Sequence, residues 1–290
     1  MDRDRSGRID KRQARAAFSR AASHYDEVAE LQREIGRRML QRLSYIRHQP
    51  KVVLDVGAGT GEATLALKKH YGKARTIALD FALPMLHQVR KRGGWLNRPS
   101  CVCGDAEQLP LANQSVDMIF SNAALQWCND LQATFSEFLR VLRPNGMLLF
   151  STFGPDTLQE LRASWSRVDG HSHVSPFPDM HDVGDAMVRA GLAEPVVDVD
   201  RLRLDYDEVS SLMRDLKTLG AHNVTCNRPR GLTGKGRLRA MCEAYEAFRT
   251  DDNKLPASYE VVYGHAWAPK QRQVDGVTCI PVDQIGRERA

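Results

Sequence analysis

The sequence predicts a doubly wound α/β fold: a mostly parallel sheet of seven strands, preceded by a helical cap and interrupted before its last strand by a helical lid. Three observations predict it. Val52-Val53-Leu54-Asp55-Val56 reads as an apolar run of the kind buried on both faces of a parallel sheet. Gly57, Gly59 and Gly61 follow where that strand turns into a helix. Strand and helix patterns then alternate as far as Ser151.

The region before the first strand, residues 11–46, has helical spacing: Phe18, Ala21, Ala22 and Tyr25, then Leu31, Ile35, Met39 and Leu43, recur every three or four positions. A break near Ser23 divides it into two helices, and Pro50 closes it. After the glycine turn come a helix at 60–71, a strand at 75–79, a helix at 82–92 and strands at 99–103 and 116–121. Phe135, Phe138, Leu139 and Leu142 mark a helix that Arg143-Pro144-Asn145-Gly146 ends, and a strand starts at Met147. Beyond residue 155 the pattern is mixed. Helices are expected near 156–168 and 179–190, a strand at 195–204, helices near 207–219 and 234–249, and a strand at 258–267. The two helices between those last strands interrupt a hairpin, a suitable place for a lid over a ligand. The expected organisation is a cap at 1–49, a main domain at 50–268 with its lid at about 205–255, and a loose polar tail at 269–290.

The chain has 290 residues, 42% in the hydrophobic set and 27% charged, ordinary usage for a globular protein. No apolar run is long enough for a membrane span and the N-terminus lacks an apolar signal core, so a cytoplasmic protein without a membrane partner is expected. Cys101, Cys103, Cys128, Cys226, Cys242 and Cys279 are scattered without zinc-site spacing, which predicts reduced thiols and no bound metal. The formal charge is +5, with Arg33, Arg37, Arg38, Arg42 and Arg47 close together. An acidic partner or a solvated helix face accounts equally well for that cluster.

The glycines allow close approach of the backbone to a ligand and direct N–H groups towards it at a helix N-terminus. Asp80 ends the second strand, where a carboxylate can accept from both hydroxyls of an adenosine ribose. A dinucleotide site would share that acid. Gly104-Asp105-Ala106-Glu107 separates the two readings, because a carboxylate and an adjacent N–H there can read adenine. The G-x-G-x-G spacing agrees, with Glu62 where a dinucleotide fingerprint has its third glycine.

In order, residues 53–61, the acid Asp80, the Gly104–Pro110 segment and Leu142–Gly146 resemble the class I S-adenosylmethionine-dependent methyltransferases, over about residues 50–155. The resemblance implies a Rossmann-like sheet and S-adenosyl-L-methionine as cofactor. It implies that Asp80 holds the ribose, Asp105 and Ala106 the adenine, and Gly57, Gly59 and Gly61 the methionine portion, with Asp55 and Gln32 among the contacts and Asn122 beside the sulfonium. The flanks, Phe18–Asp26 with Leu31-Gln32, Ser121–Cys128 and Arg214–Ala221, resemble the malonyl-acyl-carrier-protein O-methyltransferases. That resemblance implies esterification of the free carboxylate of a malonyl thioester, carried on acyl-carrier protein or coenzyme A, as the first step towards biotin. No nucleic-acid partner is expected, since no base-reading element is present and +5 is modest.

A carboxylate is already nucleophilic at neutral pH and needs orientation more than a general base. Tyr25, Arg214 and Lys217 are the donors chosen for it, with Tyr25 setting the final angle and Trp127 walling the pocket. The Arg33–Arg47 cluster is the candidate landing site for an acidic carrier. The sequence departs from the family pattern after Trp267, which has no counterpart, and at Asn223, where some relatives have His. Two alternatives stand beside this reading: methylation of another small carboxylic acid, and a cofactor-binding assembly factor that transfers no methyl.

Overall fold

The computed structural model describes residues 8–95, 98–226, 228, 231 and 233–270, and the backbone of 273–274 and 277–278. Three helices open the chain: α1 (Lys11–Ala21), α2 (Tyr25–Val28) and α3 (Glu30–Leu43). Asp10 caps α1, accepting from the N–H groups of Arg12 and Gln13. The break expected near Ser23 is present, and a second falls at Ala29, whose ψ of 34° leaves the helical range. The Arg33 guanidinium takes up the freed carbonyl of Asp26 at 2.7 Å.

The alternating core is β1 (Val52–Val56), α4 (Glu62–His70), β2 (Arg75–Asp80), α5 (Leu83–Arg92), β3 (Ser100–Cys103), β4 (Val116–Ser121), α6 (Leu131–Val141) and β5 (Leu142–Phe153). Then come α7 (Gln159–Ser166), α8 (Met180–Arg189), β6 (Ala193–Tyr206), α9 (Val209–Thr218), α10 (Lys235–Tyr245) and β7 (Leu255–Trp267). The seven strands lie in the order β3-β2-β1-β4-β5-β7-β6. The first five are parallel, and β7 runs antiparallel to both neighbours. The expected hairpin of β6 and β7 forms, with α9 and α10 between its arms.

Residue alternation along the strands buries both faces of the sheet. Val53, Met118, Phe120, Met147 and Leu149 pack under α3, α7, α9 and α10. Leu54, Val56, Ile119, Leu148 and Phe150 pack under α6 and α8. Strand order reverses between β1 and β4, and at such a switch point the helices leave on opposite sides and open a crevice at the strand ends.

Three expectations need correction. Leu142 belongs to β5, paired with Val116, and α6 ends at Val141. Pro144 disfavours helical backbone at Arg143, so the chain extends before the turn rather than after it. Part of the tail is paired, Gln273–Val274 with Val277–Thr278. Finally, most of the basic cluster is engaged within the fold. Arg38 pairs with Glu34 and Asp200, Arg37 with Glu34, and Arg42 with Asp198. The Arg42 guanidinium also lies 4.2 Å from the centroid of the Tyr263 ring. The pairs of Arg38 with Asp200 and of Arg42 with Asp198 fasten α3 to β6; Arg47 alone of the five has no partner among the described residues. Cys101, Cys103, Cys128, Cys226 and Cys242 are free thiols, and Cys279 lies outside the described residues. Among the described residues, no helix is long and apolar enough to cross a membrane.

Gly264 of β7 lies against the Phe150 ring, where an added Cβ would come within 2.3 Å of Cζ. Replacing Gly264 by Val is expected to lower stability by about 2 kcal/mol or more through overpacking. Urea denaturation would show it as a lower midpoint at unchanged slope, and Phe150→Leu in the same chain should recover part of the loss.

Candidate cofactor and acceptor site

The glycine turn leaves β1 at the switch point. Gly57, Gly59 and Gly61 have φ of 73°, 53° and 90°, the left-handed region that side chains avoid. The N–H groups of Gly57 and Ala58 both donate to the Leu79 carbonyl at the end of β2. The three glycines have different jobs. A Cβ on Gly57 would meet Ala124 Cβ at 2.3 Å, and one on Gly61 would press on Val89 at 3.0 Å. Gly59 has open space before it, with the Tyr25 ring at 4.0 Å. Gly57 and Gly59 line the cavity over the turn, whereas Gly61 serves the packing of α4 on α5.

Two acids lie beneath the turn. Asp55, 1% exposed, accepts from the Thr64 hydroxyl, and burial pushes its carboxyl up to about 7. Asp80, 5% exposed, accepts from the N–H groups of Gly59 at 3.0 Å and Ala82 at 2.8 Å. Burial raises it to about 6 against the lowering effect of those bonds. Asp55 lines the cavity; Asp80 holds the turn from below and is on the wall of none of the three cavities described below. Asp105 and Ala106 line a separate small cavity of about 40 Å³ with Gly57, Leu79 and Phe81. Lys11 of α1 also lines it, with Nζ 2.7 Å from Asp105 and 2.6 Å from Glu107.

The N-terminal helices are pinned to this turn. Asn122, at the end of β4, donates to the Gln32 carbonyl at 2.8 Å and accepts from Ser151 Oγ at 3.0 Å. Asp26 accepts from the Thr60 hydroxyl at 2.6 Å and pairs with Arg92. Gly36 in α3 permits the approach, since a Cβ there would be 2.9 Å from Asn122 Nδ2. Asp26, Thr60 and Gly36 were not among the expected site residues. The available signal was Gly36, because a glycine inside a helix costs about 1 kcal/mol and invites a packing reason.

Two large cavities result. The first, about 720 Å³, is lined by Asp55, Gly57, Gly59, Asn122, Tyr25 and Gln32, and continues along α3 and β6. The second, about 600 Å³, has buried apolar walls including Phe153, Leu158, Leu161 and Trp165. Tyr25 and Gln32 line both; Trp127 lines the second and the small Asp105 cavity. Gln32 Oε1 and Gln126 Oε1 are buried without a hydrogen-bond partner, while Gln126 Nε2 donates to the Ala123 carbonyl at 2.6 Å. Burial raises the Tyr25 phenol far above its usual pKa, so it stays a neutral donor.

Lys217, Arg20 and His222 line the second cavity and are exposed, so they stand at its mouth. Arg214 does not join them. Helix α9 turns Met213, Leu216 and Lys217 towards the cavity, an i, i+3, i+4 row, and leaves exposed Arg214 outside it. A further feature absent from the expectations is His173, stacked on Trp165 at 3.7 Å and bonded to Asp169 at 2.9 Å. It lies in a stretch without periodicity, where side-chain pairing leaves no sequence signal.

The raised carboxyls have a consequence for stability. A carboxyl whose native pKa lies above its unfolded value binds protons more tightly when folded, so its contribution falls as pH rises from about 4 towards that native value. For Asp55 the window closes at about 7. Between pH 5 and 8, the parent is therefore expected to lose stability relative to Asp55→Asn, measured by urea midpoints. Parallel pH profiles would contradict the assignment.

Comparison with known proteins identifies the family. A family model described as a methyltransferase domain matches residues 54–150. A malonyl-[acyl-carrier protein] O-methyltransferase from Gallionella capsiferriformans is 52% identical over 270 residues, covering 91% of this chain and 93% of that protein. Its counterpart from Xylella fastidiosa is 48% identical over 286 residues, 97% of each chain. Among solved structures, the YcgJ protein of Bacillus subtilis superposes with a TM-score of 0.56 at 20% identity, covering 80% of this chain and 99% of that one, a likeness of fold alone. With close to half of its residues shared along nearly its whole length, the chain belongs to the malonyl-[acyl-carrier protein] O-methyltransferase family.

Proposed function

We propose that the protein transfers the methyl group of S-adenosylmethionine to the free carboxylate of a malonyl thioester, borne by acyl-carrier protein or by coenzyme A. The observation that carries this reading is the meeting of the two cavities at Tyr25 and Gln32. One cavity belongs to the glycine turn and the other is apolar with neutral polar groups at the junction, as transfer between two bound molecules requires.

The residues present fit the cofactor. The left-handed turn leaves room at Gly59 that a side chain would fill, and Gln32 Oε1 lacks a donor. In this reading Asp55, Gly57, Gly59 and Gln32 hold the methionine portion, Asp80 the ribose, and Asp105 and Ala106 the adenine. Asn122 closes the wall beside the sulfonium. The backbone amides of Gly59, Ala82 and Phe81 take up most of the four acceptor sites of the Asp80 carboxylate and leave one for a ribose hydroxyl without dismantling the turn. The bound cofactor supplies an electrophilic methyl, which makes a protein nucleophile unnecessary.

The chain's own task is placement. A malonyl carboxylate at the junction accepts from the Tyr25 hydroxyl and from the Nε2 groups of Gln32 and Gln126, which orient it without the ion pair that would quench its nucleophilicity. Trp127 and the apolar walls exclude water, and α9 with the segment after it covers the cavity as a lid.

Incubating the protein with methyl-labelled cofactor and malonyl-acyl-carrier protein tests the reading directly, with malonyl coenzyme A in a parallel reaction. Transfer of label to the thioester in base-labile form is expected. Absence of transfer to either thioester, with the cofactor bound, would end it. Tyr25→Phe is expected to lower kcat roughly 10- to 100-fold, the loss of one hydrogen bond to a charged group, while calorimetry shows the cofactor affinity nearly unchanged.

A further inference from the structure

The mouth of the acceptor cavity concentrates positive charge that the fold leaves unneutralised. Arg20 lies in the last turn of α1 and Lys217 in the last turn of α9, and His222 follows just after that helix. All three line the cavity and are exposed. None has a carboxylate partner among the described residues, in contrast to Arg38 and Arg42 on α3. Asp215, the one acid of α9, is directed to Tyr206 instead.

The backbone brings these basic groups together. Gly220, with φ of 75°, comes so close to α1 that a Cβ would lie 3.1 Å from the Ala17 carbonyl carbon. This docks the end of α9 on the end of α1. Asn223 then fixes the following segment, donating to the Ser172 carbonyl at 2.7 Å and accepting from Thr225 N–H at 2.9 Å. Partial desolvation and the charges of Arg20, Arg228 and Lys217 hold the His222 imidazole below its usual pKa. Close cations without counter-charge disfavour one another until an anion arrives.

We propose that Arg20, Lys217 and His222 form a phosphate-ester subsite for the pantetheine arm of the thioester, placed at the mouth while its acyl end reaches Tyr25 and Gln32. This rests on the malonyl-thioester reading above and reassigns Lys217 from the carboxylate to the carrier end of the substrate. A guanidinium, an ammonium and an imidazole around one site suit a phosphate's several acceptor oxygens. The same phosphate chemistry occurs in the phosphodiester of an acyl-carrier protein and in coenzyme A. The acyl junction, by contrast, offers neutral donors, so the two anionic ends of the substrate are sorted by charge.

The test compares malonyl-pantetheine with malonyl-phosphopantetheine, which differ only in the phosphate, alongside malonyl-acyl-carrier protein and malonyl coenzyme A. The parent is expected to show a KM at least about tenfold lower when the phosphate is present, the effect of one or two charge-assisted bonds. In Arg20→Gln combined with Lys217→Gln that ratio should fall to near one. Arg47→Gln, which removes an unpaired charge elsewhere, should keep it. A parent that does not distinguish the two small thioesters overturns the subsite, as does a variant losing equally on both, since its cations would then act on the malonyl end.

The carrier-bound thioesters separate the sources: loss with coenzyme A but not with the carrier protein assigns the cations to the coenzyme's phosphates. Binding keeps the subsite testable if no thioester is methylated. Phosphopantetheine, but not pantetheine, should raise the His222 pKa followed by NMR, and an unmoved His222 titration would overturn the proposal by itself.

Discussion

The site depends on one backbone constraint, the left-handed passage at Gly57 with Ala124 pressed against it. Because β1 and β4 are neighbours at the point where strand order reverses, this contact sets the spacing between the glycine turn and the Leu125–Trp127 turn. The Leu79 carbonyl, accepting from two successive amides, fixes the turn from the other side. A side chain at Gly57 would force apart the elements that wall both large cavities. The N-terminal helices are fastened to the same few residues through Asn122 with Gln32 and Thr60 with Asp26. Both cavities therefore share one rigid junction, and two bound molecules can be held in line there with little reorganisation.

Charge is used in two opposite ways. On α3, Arg38 and Arg42 meet acids of β6 and serve as fasteners; half-exposed pairs of this kind contribute modestly to stability and more to register. Beneath the glycine turn, Asp55 and Asp80 are buried with no cationic partner among the described residues, and both carboxyls are raised. An anion so placed is costly in the free protein and is stabilised by a cation beside it. In the proposed reading the cofactor's positively charged methionine portion would lie beside Asp55, so that cofactor binding and ionisation of that acid favour each other. The cations at the mouth of the second cavity present the mirror case, awaiting a negative ligand.

Much of the fold was legible because it rests on local periodicity. The strand runs, the glycine turn, the acid ending β2 and the interrupted β6–β7 hairpin all appear where their patterns place them. Leu142 was misassigned because the helical spacing continues across the boundary, while the extended backbone before Pro144 and pairing with Val116 decide against it. The second break, at Ala29, has no marker residue and arises from packing, since Ala29 is buried. Among the candidate site residues, Asp55, Gly57, Gly59, Gln32 and Asn122 are gathered round one cavity, and Tyr25, Trp127 and Lys217 line the other. Arg214 fails to join them through a helical rotation of one position.

By itself the sequence determined the α/β alternation, the position of the nucleotide-type turn and the family, because these depend on residue order, spacing and shared segments. It could not determine which charges neutralise one another, which glycine faces a ligand and which faces a neighbour, or that Tyr25 and Gln32 stand between two cavities. Those properties come from elements far apart in the chain: α3 against β6, Lys11 against Asp105, and Gly220 against Ala17. The physical reason is that periodicity records which face of an element is buried, whereas pairing and cavity shape depend on what is packed against it, which only the tertiary structure decides.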